Sequence, residues 1–312
     1  MKTFLITGAS GYIGSHMAYQ LKKAYPDCRV VGVDIVKKDK LDHLFDDFFQ
    51  WDLTQTNGEV FDRYEYECVF HFAAYASVPE GEKYQFEYYY NNITSSLNTL
   101  NDAILCKVPY FIFSSTCAVY GNPRYIPIDE DHDKNPISVY AKTKGIFEDI
   151  LLSAHEQKKI RSGILRYFNA AGRNAKAGLY EEHSPETHLI PLLVKGDTID
   201  VYGNDYKTTD GTPLRDYIHV IDICEAHIKA YEYLRENSDK PLVCNIGTGM
   251  AHSVIEVVEK VNTILGKEVK MKFKSRRTGD AVALVSDVTR MKNVLQFQPK
   301  HDIVSIVESM KD

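Results

Sequence analysis

The sequence predicts an α/β protein, a doubly wound parallel sheet with a smaller C-terminal second domain. Three observations predict it. Short apolar runs alternate with longer amphipathic ones through the first half of the chain. The first such run begins at Lys2 and leads directly into a glycine-rich turn. After Phe168 the alternation gives way to irregular sequence rich in small and polar residues. Strands covered on both faces read as continuous apolar runs, and the helices that cover them make the connections.

Taken in order, Lys2–Thr7 is the first strand and Ile13–Ala24 the helix after it. Arg29–Asp34 is the second strand, Phe48–Trp51 a short third and Cys68–Phe72 a fourth, followed by a helix across Phe86–Cys106. Tyr110–Ser114 is the fifth strand, with a helix from about Val139 to Glu156, and Ser162–Arg166 is the sixth. Ala170–Pro185 reads as loop. The helix near Asp222–Leu234 and the run Leu242–Ile246 return to the first domain, and Ser253–Leu265 is a helix of the second. The expected division is 1–168 with 213–247 against 169–212 with 248–312. Two domains wound into one another suit a cleft enzyme.

At 312 residues, 44% hydrophobic and 26% charged, the chain has globular composition and length for about two domains. A net charge of −6 gives no reason to expect nucleic acid as a partner. The six cysteines, Cys28, Cys68, Cys106, Cys117, Cys224 and Cys244, form no CxxC pair or close His/Cys cluster. They read as reduced packing residues, so no metal site is expected. Phe4-Leu5-Ile6 is too short for a signal peptide, and no apolar run reaches membrane-helix length, so a cytoplasmic location is the default expectation.

Gly8-Ala9-Ser10-Gly11-Tyr12-Ile13-Gly14 joins the first strand to its helix. Gly8, Gly11 and Gly14 permit a tight turn, close approach of backbone to a pyrophosphate, and close helix–strand packing. The helix start at Tyr12 and Ile13 then offers N–H groups and a positive dipole end to phosphates. Three glycines alone are weak evidence. Between a strand and an amphipathic helix they point to a dinucleotide. Asp34, at the end of the second strand, can accept both adenosine ribose hydroxyls and repel a 2′-phosphate, which favours NAD over NADP. Asp52 either reaches the adenine or serves as a turn or capping residue.

Tyr140 and Lys144 stand four residues apart on one helix and share a face. Thr116 lies just beyond the fifth strand, at the sheet edge where such folds bind ligands. A tyrosine with a reference pKa near 10 is a poor base at neutral pH. An ammonium and a nicotinamide cation beside it stabilise the phenolate, and a lowered pKa is expected for Tyr140.

The Gly8–Gly14 loop, His71-Phe72-Ala73-Ala74, Ser115-Thr116 with Val119-Tyr120-Gly121, and Tyr140-x-x-x-Lys144 resemble the extended short-chain dehydrogenase/reductase superfamily, whose sheet is of Rossmann type. Leu165-Arg166-Tyr167-Phe168-Asn169, Tyr202-Gly203-Asn204-Asp205-Tyr206, Asp210-Gly211-Thr212, Arg215-Asp216-Tyr217-Ile218-His219-Val220 and Arg276-Arg277-x-Gly279-Asp280 resemble the UDP-glucose 4-epimerases within it. The match runs from the first strand to about Asp287.

That resemblance implies interconversion of UDP-glucose and UDP-galactose through a 4-keto sugar, with NAD retained through the cycle. It makes Tyr140 the acid and base at O4, Thr116 its assistant, and Lys144 the residue that tunes Tyr140 and holds the nicotinamide ribose. It sets Leu53, Phe72, Ala73, Ala74, Asn92, Ser114, Ser115 and Tyr167 along the cofactor. Asn169, Arg215 and Arg277 would hold the diphosphate and Asp280 the uridine ribose, as guanidinium forks suit phosphate and a carboxylate suits a diol. His188, beside Leu189, either touches the substrate or is a capping or packed histidine. A homodimer through a four-helix bundle of the helices around Phe86–Cys106 and Val139–Glu156 is also implied, although the tyrosine-rich Tyr84–Tyr90 stretch reads equally as core.

The chain departs from the family pattern at three places. Ile35 follows Asp34 where asparagine is usual, Ala76 replaces a lysine near the phosphates, and Leu284 stands where glucose/galactose-strict members carry tyrosine. The smaller Leu284 leaves room for a 2-N-acetyl group. Cys117-Ala118 after Thr116 lacks the Asp-Glu acid and base of sugar 4,6-dehydratases. The alternatives are a 4-epimerase of UDP-galacturonate or a UDP-pentose, and a catalytically silent NAD-binding module.

Overall fold

The computed structural model describes residues 1–56, 58–182, 186–237, 240–277 and 280–311. Gly279, inside the Arg276–Asp280 segment, and Pro185, the end of Ala170–Pro185, lie outside the described residues. The chain begins with β1 (Thr3–Thr7), α1 (Tyr12–Ala24), β2 (Arg29–Asp34), β3 (Asp47–Gln50), α2 (Gly58–Asp62) and β4 (Cys68–His71). Then come α3 (Val78–Lys83), α4 (Gln85–Leu105), β5 (Tyr110–Thr116), α5 (Val139–Glu156) and β6 (Arg161–Tyr167). Beyond these lie β7 (Asn169–Ala171), α6 (Leu189–Lys195), β8 (Thr198–Tyr202), β9 (Leu214–Arg215), β10 (Tyr217–His219), α7 (Val220–Glu236) and β11 (Leu242–Ile246). The chain continues with β12 (His252–Ser253), α8 (Val254–Leu265), β13 (Lys270–Lys274), β14 (Ala283–Leu284), α9 (Thr289–Val294) and α10 (Ile303–Ser309).

Seven strands form one parallel sheet in the order β3-β2-β1-β4-β5-β6-β11. The order reverses between β1 and β4, which opens a crevice at the carboxyl ends of these strands. The period-two geometry of a strand sends alternate side chains to opposite faces. Phe4, Ile6, Val30, Phe70, Ile112 and Cys244 pack with α1 and α7, while Leu5, Val31, Val69, Phe111 and Phe113 pack with α4 and α5. Both faces are therefore dry, which explains why these strands read as unbroken apolar runs.

Three of the differences from the sequence reading bear on the site. β5 runs through Thr116, so Thr116 ends the strand rather than following it. Its register with β6 continues to Tyr167, and that extra pairing carries the strand on past Ser114. The return to the large sheet is made by α7 and β11. Leu214–His219 pairs instead in two small sheets, with β7 and with β12 and β14. The segment expected to be loop after Ala170 opens within β7.

A separate apolar cluster unites α6, α8, α10 and β8 through Ile190, Leu193, Ile199, Val257, Val261 and Ile306. A smaller one, Cys117, Val119, Tyr120, Ile128 and Phe168 with Leu284 against it, lies next to Thr116. Of the cysteines, Cys106 is exposed rather than packed, since it caps α4 at the surface. Among the described residues no helix is long and apolar enough to cross a membrane.

Candidate active site

The crevice begins at the glycine loop. Gly8 has φ +66°, and a Cβ there would stand 2.8 Å from the Ala73 nitrogen; one on Gly14 would stand 2.2 Å from the Gly8 carbonyl oxygen. Gly11 caps α1 without any side-chain hydrogen bond, so the first-turn N–H groups at Tyr12 and Ile13 have no side-chain cap. Tyr12 itself swings across to donate its hydroxyl to the Gly172 carbonyl at 2.5 Å. Asp34 is drawn to the loop: its carboxylate accepts the Ser10 N–H at 2.9 Å and the Val36 N–H at 3.2 Å. Burial raises its pKa and these backbone bonds oppose that rise.

Gly8, Asp34, Asp52, Leu53, Phe72, Ala73 and Ala74 line one cleft of about 180 Å³. One Asp52 oxygen accepts both the backbone and hydroxyl hydrogens of Thr54, a turn role, while the residue still faces the cleft. A cradle that admits no side chain at two positions, an uncapped helix start and a carboxylate at the strand end fit a dinucleotide with an unmodified adenosine ribose.

Asn92 and Ser115 are engaged by protein partners. Asn92 braces the turn after β4 by bonding both the N–H and the carbonyl of Tyr75, and it donates to Thr143 at 3.0 Å. Ser115 donates to Glu148 at 2.5 Å.

Tyr140, Lys144 and Thr116 converge at the end of β5. Lys144 donates to the Ser114 carbonyl at 2.9 Å, and its ammonium is 5.9 Å from the Tyr140 ring centroid. Ser114 also shares a short hydrogen bond with the Tyr167 hydroxyl. The expected lowering of the Tyr140 pKa is not produced by the protein's own groups. Burial pushes the phenol well above its ordinary value, Tyr167 and Cys117 add to the rise, and the Thr116 hydroxyl within its reach works downward. Burial also brings Lys144 down to about 7, with Glu148 opposing. Desolvation disfavours the charged form of each group, and in this site it outweighs the attraction expected between them. Tyr167 is raised to about 12, again first by burial.

The remaining candidates divide. Arg215 donates to the Leu214 and Ala281 carbonyls at 2.9 Å and lies 3.8 Å from Asp280. Its charge is felt at Cys117, the residue after Thr116, which burial lifts to about 12 and Arg215 draws down. Leu284 pairs with Arg215 across β14 and β9. Asn169 opens β7 opposite Tyr217. Arg277 is exposed, its guanidinium 3.7 Å from the Tyr202 ring centroid. His188 stands at the N-cap of α6 without a side-chain cap bond, and its imidazole pairs with Glu181 at 2.6 Å and Glu186 at 3.6 Å. Leu189 packs on the cluster around α6 and α8.

With this geometry established, comparison decides the family. The sequence profile of the "NAD dependent epimerase/dehydratase family" matches residues 4–247. The chain belongs to the NAD dependent epimerase/dehydratase family. The chain is similar to the UDP-glucose 4-epimerase of Rhizobium meliloti (strain 1021), 36% identical over 318 residues that cover 98% of this chain and 94% of the relative. A crystal structure of UDP-glucose 4-epimerase from Brucella ovis in complex with NAD superposes with TM-score 0.93 at 36% identity, covering 99% of this chain and 97% of that one. The Bifidobacterium longum enzyme in complex with NAD+ and UDP gives TM-score 0.92 at 29% identity, with the same coverage.

Two buried carboxylates are given no role by the sequence reading, although Asp216 lies inside one of its motifs. Asp216 is fully buried and accepts five hydrogen bonds, from the Thr248 N–H and hydroxyl, the Gly249 N–H and the Ser286 N–H and hydroxyl. It fastens Arg215 to the turn after β11 and to the residues after β14. Glu148, also fully buried, receives two hydrogen bonds from Arg166 at 2.9 and 2.6 Å. Its helical spacing of four from Lys144 was a usable signal; nothing in the spacing around Asp216 marked it out.

Proposed function

We propose that the chain is an isomerase that interconverts UDP-glucose and UDP-galactose by inverting C4 through a 4-keto sugar with bound NAD. The observation that carries this reading is the convergence of Tyr140, Thr116 and Lys144 at the end of β5, beside the crevice that opens at the glycine loop. The full-length similarity to UDP-glucose 4-epimerases supports it.

Gly8, Gly11, Tyr12, Ile13, Gly14 and Asp34 hold NAD in this reading, with Asp52, Leu53 and Phe72–Ala74 along the adenosine side and Ser114 and Tyr167 near the nicotinamide. NAD supplies a reversible hydride acceptor when bound. Tyr140 takes the proton of the sugar O4–H and later returns it, with Thr116 hydrogen-bonded to the same oxygen. The chain's own groups keep the phenol protonated, so its proton becomes available only with added positive charge beside it. Lys144, held on the Ser114 carbonyl, has its side-chain nitrogen 5.9 Å from the centre of the phenol ring. Asn169, Arg215 and Arg277 bind the diphosphate and Asp280 the uridine ribose. Because Arg215 and Leu284 are cross-strand neighbours beside Cys117, one short stretch of backbone sets both diphosphate grip and the space beside the sugar.

We assign 1–168 with 213–247 to cofactor binding and 169–212 with 248–312 to the nucleotide sugar, in a cytoplasmic homodimer. Phe86, Tyr90 and Leu97 on α4 and Ile146 on α5 are exposed although these helices pack side by side, which supports a four-helix interface, while Tyr88 alone of the tyrosine-rich stretch is core. Sedimentation as a monomer would reject the dimer. Leu284 in place of tyrosine also admits UDP-N-acetylhexosamines, a reading that absence of UDP-GlcNAc turnover removes. The test of the main proposal is to incubate purified protein with UDP-galactose and no added NAD. UDP-glucose should form, and failure to form it in protein shown to retain NAD overturns the proposal.

A further inference from the structure

We infer that Glu148 is a positioning residue for the Tyr140–Thr116 pair, holding α5 in register on the end of β5. The inference rests on the function proposed above. Tyr140, Lys144 and Glu148 follow one another at four-residue intervals on α5 and lie over the same side of the helix. Each meets one of three consecutive residues of β5. Lys144 holds the Ser114 carbonyl at 2.9 Å, Glu148 accepts the Ser115 hydroxyl at 2.5 Å, and Tyr140 reaches the Thr116 hydroxyl. The first two contacts are tight and dry, and together they fix the third.

The carboxylate is anchored from behind. Arg166 lies beside Ser115 in the β5–β6 register and grips both Glu148 oxygens, at 2.9 and 2.6 Å. Arg166 also donates to the Tyr120 hydroxyl at 3.0 Å, and Tyr120 donates to Asn245 at 2.7 Å. Lys134, 3.5 Å from the carboxylate, completes its charged surroundings. The chain of contacts runs from α5 across β5 and β6 to β11, and its members are not among the described residues that line the cleft beside Gly8.

A buried ion pair is a poor source of stability, since apolar residues of similar volume serve as well or better, whereas removing one partner strands the other. What the pair does provide is direction: a carboxylate two hydrogen bonds deep in a guanidinium fork has one orientation, and Ser115 is bonded to that orientation. A displacement of about 1 Å at reacting groups costs on the order of 100-fold in rate.

The test compares Glu148→Gln and the double variant Glu148→Leu/Arg166→Leu with the unaltered holoenzyme, measuring bound NAD, melting temperature, kcat and KM for UDP-galactose. The double variant removes both charges, so it should melt near the wild type and keep NAD and KM, while kcat falls by about 10- to 100-fold. Glu148→Gln keeps an acceptor for Ser115 and should recover part of that loss. A double variant that binds NAD and turns over at the wild-type kcat overturns the inference. So does a Glu148→Gln variant whose kcat is unchanged, and this second arm decides if the double variant does not fold. Tyr140→Phe is run alongside: activity retained there removes the proposed function itself, whereas activity lost there but intact in the Glu148 variants removes only the positioning role.

Discussion

Lys144 holds the Ser114 carbonyl at 2.9 Å, and through that bond the helix bearing Tyr140 is seated on the strand bearing Thr116. Lys144 therefore has a mechanical duty in addition to its charge. Burial has brought its pKa to about 7, so near neutrality it is poised between charged and neutral forms.

Tyr140→Phe removes the phenol hydroxyl to which the proposal assigns the O4 proton. Turnover of UDP-galactose should fall by about 100- to 10,000-fold, the range that positioned acid–base groups supply. Bound NAD, read by absorbance of the denatured supernatant, should be unchanged. Turnover within a few-fold of wild type would take Tyr140 out of its role.

Gly8→Ala puts a methyl group on a backbone at φ +66°, 2.8 Å from the Ala73 nitrogen. Strain of about 1–3 kcal/mol is expected, together with displacement of the turn after β4 that lines the same cleft. The purified variant should lose NAD on dialysis and melt lower than wild type. Full NAD occupancy with an unchanged melting temperature contradicts the close approach.

Asp216→Asn turns one acceptor oxygen into a donor facing N–H and O–H groups that already donate. A loss of about 2–4 kcal/mol in urea unfolding is expected from unsatisfied buried partners. Since Arg215 and Leu284 adjoin this hub, KM for the UDP-sugar should rise more than kcat falls. A variant with unchanged stability would show that the five bonds are dispensable.

The His188 pairing gives a pH signature. Burial lowers its pKa, but hydrogen bonds to Glu181 and Glu186 prevail and raise it to about 10; burial raises Glu186, but His188 prevails and brings it to about 2. A raised histidine contributes stability that is complete below its unfolded pKa near 6.5 and is lost as pH climbs through the folded value. A depressed carboxylate contributes above its unfolded pKa near 4.3 and loses that contribution as pH falls toward about 2. The melting difference between wild type and His188→Asn should therefore be greatest between about pH 4.5 and 6.5 and shrink toward pH 10. A difference that is flat from pH 5 to pH 10 would show that the pairing has no charged character. Half of the His188 side chain is exposed, so the effect is small in size and lies in its shape.

The sequence by itself determined the sheet, the glycine loop and the Tyr140–Lys144 face. These are local in origin: strand and helix periods, the left-handed turn at Gly8 and a four-residue helical step are each written within a few neighbouring residues. It did not determine which way the protein's own groups shift Tyr140, because that depends on how much water the fold removes, and among those groups burial outweighs the rest. Nor did it reveal that Asp216 binds Thr248, Gly249 and Ser286, or that Glu148 joins Ser115 to Arg166, because these partners are brought together only by tertiary packing. Dielectric surroundings and long-range hydrogen bonds belong to the assembled molecule, since neither exists until segments distant in the chain have closed around one another.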